Sequence, residues 1–144
     1  MSLESMKRIV IDLDHTLCIA ADEGQAPTDK RMAAYERARP VMAVVERLKE
    51  LHKQGFEIVI NTSRNMRTFN GVVGRINIHT LPRILAWLDT YNIPYDEVIV
   101  GKPWCGKDGF YVDDRSIRPS EFARLSLDEI NALFQLEEDF IDES

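Results

Sequence analysis

The sequence predicts an α/β fold, a mostly parallel sheet with helices on both faces, from three observations. Two runs, RIVIDL at 8–13 and FEIVIN at 56–61, each hold an uninterrupted Ile-Val-Ile core, the pattern of strands buried on both sides. Between and after them the apolar residues change to the three-and-four spacing of helices. Strand and helix signals then alternate along the chain, an order that right-handed crossovers close into a parallel sheet.

The elements follow in order. After the first strand, residues 15–39 are polar, with DEGQAPTD in the middle, and read as a loop or small flap. In PVMAVVERLKELHKQG, residues Val41, Val44, Val45, Leu48 and Leu51 share one helical face, with Pro40 in the first turn and Gly55 as the stop. Thr62 and Ser63 close the second strand, and the glycine-bearing RNMRTFNGVVGRIN after it reads as irregular. TLPRILAWLDTY reads as a helix with Thr80 as N-cap, Pro82 in the first turn and Trp87 on its apolar face. EVIVG and GFYVDD read as two further strands. SLDEINALFQLEE reads as a helix opened by the capping-box pair Ser126 and Glu129. The sum is a Rossmann-like sheet in a single domain, 1–144, with 1–5 as a leader or remnant and 137–144 as an acidic tail.

Composition narrows the function classes. A chain of 144 residues with 44% apolar and 29% charged residues is ordinary for a soluble globular protein. No apolar run approaches a membrane span, and carboxylates interrupt the N-terminal apolar stretch where a secretory signal would be continuous. The expected location is the cytoplasm, with no membrane partner. Cys18 and Cys105 have no metal-binding spacing and read as reduced thiols. A net charge of −6 argues against nucleic acid as a partner.

In a parallel sheet the C-terminal strand ends share one edge, where ligands bind. This chain places polar residues at four such ends: Asp12 and Asp14, Thr62 and Ser63, Lys102, and Asp113 and Asp114. Side chains two apart on an extended segment point the same way, so Asp12 and Asp14 face one small volume. Three or four carboxylates there call for a cation, and hard oxygen donors without sulfur or imidazole favour Mg²⁺ over zinc. A phosphoryl group is the natural partner of such a cation, with Lys102 and the groups around Thr62 on its oxygens. Between Glu57 and Asp89 there is no acidic residue, whereas Arg64, Arg67, Arg75 and Arg83 are present. Of these, Arg64 and Arg67 are expected to contact substrate with Ser63, and Trp104 either stacks on a sugar or base or serves simple packing.

DLDHT, a strand ending in NTSR, GKP and YVDD resemble, in that order, the four motifs of the haloacid dehalogenase-like (HAD) hydrolases. The layout over 8–115 is most similar to small phosphatases of bacterial capsule biosynthesis, and more distantly to the phosphatase domain of polynucleotide kinase-phosphatases. The resemblance implies a HAD-like fold with little or no cap. It implies Asp12 as a nucleophile forming an aspartyl-phosphate, Asp14 as general acid/base, Thr62 on the phosphoryl group and Lys102 balancing charge. Mg²⁺ would sit between Asp12, the backbone carbonyl of Asp14 and a fourth-motif acid, Asp114 in direct contact and Asp113 behind it. His15 stands where the family usually has glycine, and Lys107 is a rival to Lys102. The expected activity is Mg²⁺-dependent hydrolysis of a small phosphorylated metabolite, a sugar phosphate for capsule polysaccharide. A nucleic-acid 3′-end phosphatase and a non-catalytic phospholigand-binding protein are the alternatives. An uncapped site leaves room for a second subunit, so a homo-oligomer is compatible with this reading.

Overall fold

In the computed structural model, which describes residues 5–20 and 34–144, β1 (Arg8–Ile11) pairs in parallel with β4 (Glu57–Thr62). On its other side β4 pairs in parallel with β5 (Glu97–Val100), giving the sheet order β1-β4-β5. The expected α/β architecture, a mostly parallel sheet flanked by helices, is thus present. The register sets Ile9 against Ile58, Val10 against Val59 and Ile60 against Val98. Ile58, Val59 and Ile60 are all buried, as expected of the middle strand. Arg8 at the start of β1 pairs with Glu97 at the start of β5 and lies 3.9 Å from Glu57.

Helix α1 (Met42–Lys53) makes the crossover from β1 to β4 and buries Val44, Val45, Leu48 and Leu51, four of the five residues expected on that face. Each contributes about 1.5–3 kcal/mol relative to an exposed position. Val41 is the N-cap, one residue short of the helix, and Pro40 belongs to a strand. Gly55 ends the turn after α1 with a φ of 99°, a conformation that strains any residue with a Cβ.

The expected loop at 15–39 has an ordered frame. Its ends form a two-stranded antiparallel ribbon, β2 (Cys18–Ile19) with β3 (Arg39–Pro40). The middle, 21–33, and residues 1–4 of the expected leader 1–5 lie outside the described residues. Two short helices have no clear signal in the sequence, α2 (Val73–His79) and α4 (Pro119–Arg124). Gly74 lowers the helix propensity of the first, and the second is only six residues long. Helix α3 (Leu81–Thr90) buries Ile84, Trp87 and Leu88. The Trp87 indole donates to the Ala38 carbonyl at 2.8 Å, tying α3 to the chain before β3. Thr80 precedes α3 as expected, but its hydroxyl does not cap the helix; it donates to Asn65 Oδ1 at 2.7 Å.

The chain divides into two compact units, Met1–Trp104 and Cys105–Ser144. The second contains α4 and α5 (Leu127–Asp142). In α5 the Ser126–Glu129 box closes as expected, with Glu129 N–H on Ser126 Oγ at 3.2 Å and Ser126 N–H on Glu129 Oε1 at 3.0 Å. The helix runs on through residues expected as an acidic tail. The expected strand GFYVDD does not form: residues 109–113 carry no ladder, and Phe110 and Val112 are 79% and 87% exposed. A strand needs a neighbour to take up its N–H and C=O groups, and Cys105–Ser144 contains no strand. At both ends the segment is turned. A Cβ on Gly109 would meet the Cys105 carbonyl oxygen, and Asp113 Oδ1 accepts from the Arg115 N–H at 2.9 Å.

Candidate active site at the ends of β1, β4 and β5

All three strands point the same way, so their C-terminal ends bring Asp12, Thr62 and Lys102 to one edge of the sheet. The Lys102 N–H donates to the Thr62 carbonyl at 3.1 Å, which fixes the loop after β5 to the end of β4. From there the Lys102 ammonium stands 4.0 Å from Asp12 Oδ1. The same oxygen accepts the Leu13 N–H at 2.8 Å. Burial pushes the Asp12 carboxyl above the usual aspartate range, outweighing the Leu13 N–H and the Lys102 charge, while Asp14 adds to the rise.

Beyond Asp12 the chain makes a tight turn, with the Leu17 and Cys18 N–H groups on the Leu13 carbonyl at 2.9 and 3.2 Å. His15 lies inside it with a φ of 62°, and its N–H donates to the Cys18 carbonyl at 2.8 Å. That left-handed conformation is the one glycine adopts freely. The position therefore needs the backbone shape, and here histidine supplies it.

Asp14 is held by Arg64. Its Oδ2 accepts from Arg64 Nε at 3.0 Å and its Oδ1 from Arg64 Nη2 at 2.7 Å, a two-pronged ion pair. Arg64 is only 5% exposed. Its own N–H donates to Thr62 Oγ1 at 3.0 Å, and its guanidinium lies 4.3 Å over the Tyr35 ring. Burial works to lower the guanidinium pKa, but the bonds and charge of Asp14 reverse this and leave it raised. Arg64, expected on the substrate, has its Nε and Nη2 committed to Asp14.

Cys18 and Tyr35 join this cluster unannounced by any sequence signal. The Cys18 Sγ lies 3.5 Å from both Asp14 Oδ1 and Arg64 Nη2. Burial, with Asp14 alongside, pushes its thiol up to about 12. A small, partly open cavity of about 10 Å³ is lined by Tyr35, Arg64, Asn65, Thr80 and Arg83. Further out, Arg67 stands 5.7 Å from the centre of the Trp104 ring, so these two expected substrate contacts adjoin each other. Thr62 is buried, and Ser63 is half-buried beside it.

Asp113 and Asp114 belong to the second unit and are exposed. The Arg115 N–H and Asp114 hold the Asp113 carboxyl below the usual range. Among the described residues no three Asp, Glu, His or Cys side chains gather into a metal-holding group. Asp12 and Asp14 supply hard oxygen donors, and the burial that raises Asp12 is a penalty a cation would relieve. The donor chemistry fits Mg²⁺, with at least one further acid required.

Compared with known proteins, the chain is 55% identical to an MCSG target protein from Vibrio cholerae of known crystal structure. The match covers 92% of this chain and 99% of that one, with a TM-score of 0.80. Chains of the Pnkp1/Rnl/Hen1 complex and of the Pnkp1/Rnl/Hen1 RNA repair complex match at 21% identity, with TM-scores of 0.48 and 0.46. These matches cover 84% and 83% of this chain but only 35% and 30% of theirs. No protein-family model matches the sequence, and no curated protein matches it.

Proposed function

We propose that this chain, which belongs to one family with the Vibrio cholerae protein, is a HAD-type phosphomonoesterase acting through an aspartyl-phosphate on Asp12. The observation that carries the reading is the pairing of two differently treated carboxylates on one turn. Asp12 faces Lys102 across 4.0 Å, whereas Asp14 is clamped by Arg64. A nucleophile and a proton carrier need that difference in surroundings.

In the first step an Asp12 carboxylate oxygen attacks phosphorus and the bond to the leaving oxygen breaks, with Asp14 giving that oxygen its proton. In the second a water attacks the same phosphorus, Asp14 takes the water proton, and Asp12 is released with inorganic phosphate. Lys102 balances the charge between carboxylate and phosphoryl group, and the groups around Thr62 and Ser63 receive the phosphoryl oxygens. Asp12, the Asp14 carbonyl and Asp114, with Asp113 behind, are the groups that would hold Mg²⁺, which would neutralise charge on the transferring phosphoryl group. The Arg64 fork orients Asp14 for both proton transfers.

The substrate is a small phosphorylated metabolite, with Arg67 and Trp104 at the rim for its remaining anionic or ring portion. The likeness of the motifs to capsule-biosynthesis phosphatases favours a sugar phosphate. The test is phosphate release from an aryl phosphate and from a panel of sugar phosphates, nucleotides and oligonucleotide 3′-phosphates, with Mg²⁺ and with chelator. Turnover should require the metal and be abolished in Asp12→Asn with the fold intact. Full activity in that variant overturns the mechanism. Preference for oligonucleotide ends would move the substrate class to nucleic acid.

A further inference from the structure

Asp14 accepts from Arg64 through two bonds, from Nε at 3.0 Å and from Nη2 at 2.7 Å. Such a fork fixes the two groups to each other and leaves open what holds the longer of them in place. Arg64 reaches Asp14 on a flexible stem with several rotatable bonds, so its charged end needs a support of its own.

An aromatic ring provides it. The Arg64 guanidinium carbon lies 4.3 Å over the centre of the Tyr35 ring. Arg64 is buried and Tyr35 half-buried, and a cation gains most from an aromatic face when the two meet out of water. The carboxylate thus takes two of the guanidinium nitrogens, the ring bears on the central carbon, and Cys18 Sγ stands 3.5 Å from Nη2.

Tyr35 is itself held by its neighbours. Ala34 and Ala38 on either side of it are buried. The Ala38 N–H donates to the Tyr35 carbonyl at 3.2 Å, closing a turn, and the Ala38 carbonyl accepts the Trp87 indole N–H at 2.8 Å. Glu36 also pairs with Arg83 at 2.9 Å, although both are half exposed and the pair adds little. Residues 34–38 therefore stand on α3, which is anchored through Ile84, Trp87 and Leu88. Contacts run unbroken from α3 through this turn and the Tyr35 ring to Arg64, and from Arg64 to Asp14.

We propose that Tyr35 is a positioning residue for the proton carrier: its ring, not its hydroxyl, holds the Arg64 fork and through it the Asp14 carboxylate. The positioning rests on this geometry alone, whereas its consequence for turnover rests on the phosphatase reading. As the bond from phosphorus to the leaving oxygen breaks, the proton passes from Asp14 to that oxygen, and a misplaced carboxyl delivers it late. A leaving alkoxide needs that proton, whereas a nitrophenolate departs as the anion. Loss of the ring should therefore be felt according to the leaving group, a pattern that general loosening of the fold does not produce.

Tyr35→Phe keeps the ring and Tyr35→Leu removes it, with Tyr35→Met as a second ring-free variant where the leucine variant does not fold. With Mg²⁺ present, kcat/KM of the ring-free variant should fall about 10- to 100-fold on glycerol phosphate and less than about threefold on nitrophenyl phosphate. Tyr35→Phe should stay within about twofold of the wild type on both. A readout without turnover is the Arg64 Nε–H in a proton–nitrogen NMR spectrum, identified by its loss in Arg64→Lys. It should exchange slowly with water in the wild type and in Tyr35→Phe, and rapidly without the ring. Slow exchange in the ring-free variant, equal losses on the two esters, or a Tyr35→Phe variant as impaired as the ring-free one overturns the proposal. A wild type inactive on both esters defeats the phosphatase reading, and the Nε–H exchange then decides the positioning.

Discussion

Arg64 shows how a residue's place in the sequence can mislead about its task. Two positions after Thr62, with no acid nearby in the chain, it reads as an anion contact. Folded, its guanidinium is buried against Asp14, fifty positions away. No local spacing reveals that partner, whereas the strand-end carboxylates were legible because their type and order carry chemistry. Arg64→Lys keeps the charge and loses the fork. It should lower kcat about 10- to 100-fold with little change in KM; steady-state kinetics would show a raised KM instead if Arg64 bound substrate. Cys18 was legible only as a thiol without a motif. With its pKa near 12 in the fold, against an ordinary value of 9.0, it stays protonated where the unfolded chain ionises. The resulting stability is complete below pH 9 and is lost as pH rises through about 12. A thiol reagent near neutral pH should therefore label Cys105 in the native protein and Cys18 only after unfolding.

Among the elements, those with unbroken periodicity are legible in the sequence: α1, α3 and α5 through their apolar faces, and β4 through its Ile-Val-Ile core. The misses have a common physical cause. Helix α2 carries little helical signal, since it contains a glycine and buries only Ile76. The GFYVDD segment has strand composition, but a strand is defined by its neighbour, and composition does not name one. Helix α2 also bears on the site. A Cβ on Gly101, whose φ is 85°, would come within 2.9 Å of Val73 Cγ2. Gly101→Ala combines that clash with backbone strain and should destabilise by about 1–3 kcal/mol, measurable by urea unfolding. Because Gly101 adjoins Lys102, activity should fall along with stability.

For the molecule as a whole, the sequence conveyed the parallel order of the sheet and the edge at which its polar residues gather. It did not convey the division into Met1–Trp104 and Cys105–Ser144, because no linker or repeat marks residue 104. The total charge of −6 likewise conceals how unevenly the acids are distributed along the chain. The half-buried Asp12 carboxylate has a consequence at this same scale. Its charge is disfavoured by the fold, so the native state carries a burden at neutral pH that eases as the group takes up a proton. Asp12→Asn removes that burden along with the proposed nucleophile. The variant should melt at a higher temperature than the wild type without metal in a calorimetric scan. A protein sturdier without its proposed nucleophile would be one that holds reactivity at the expense of durability at that position.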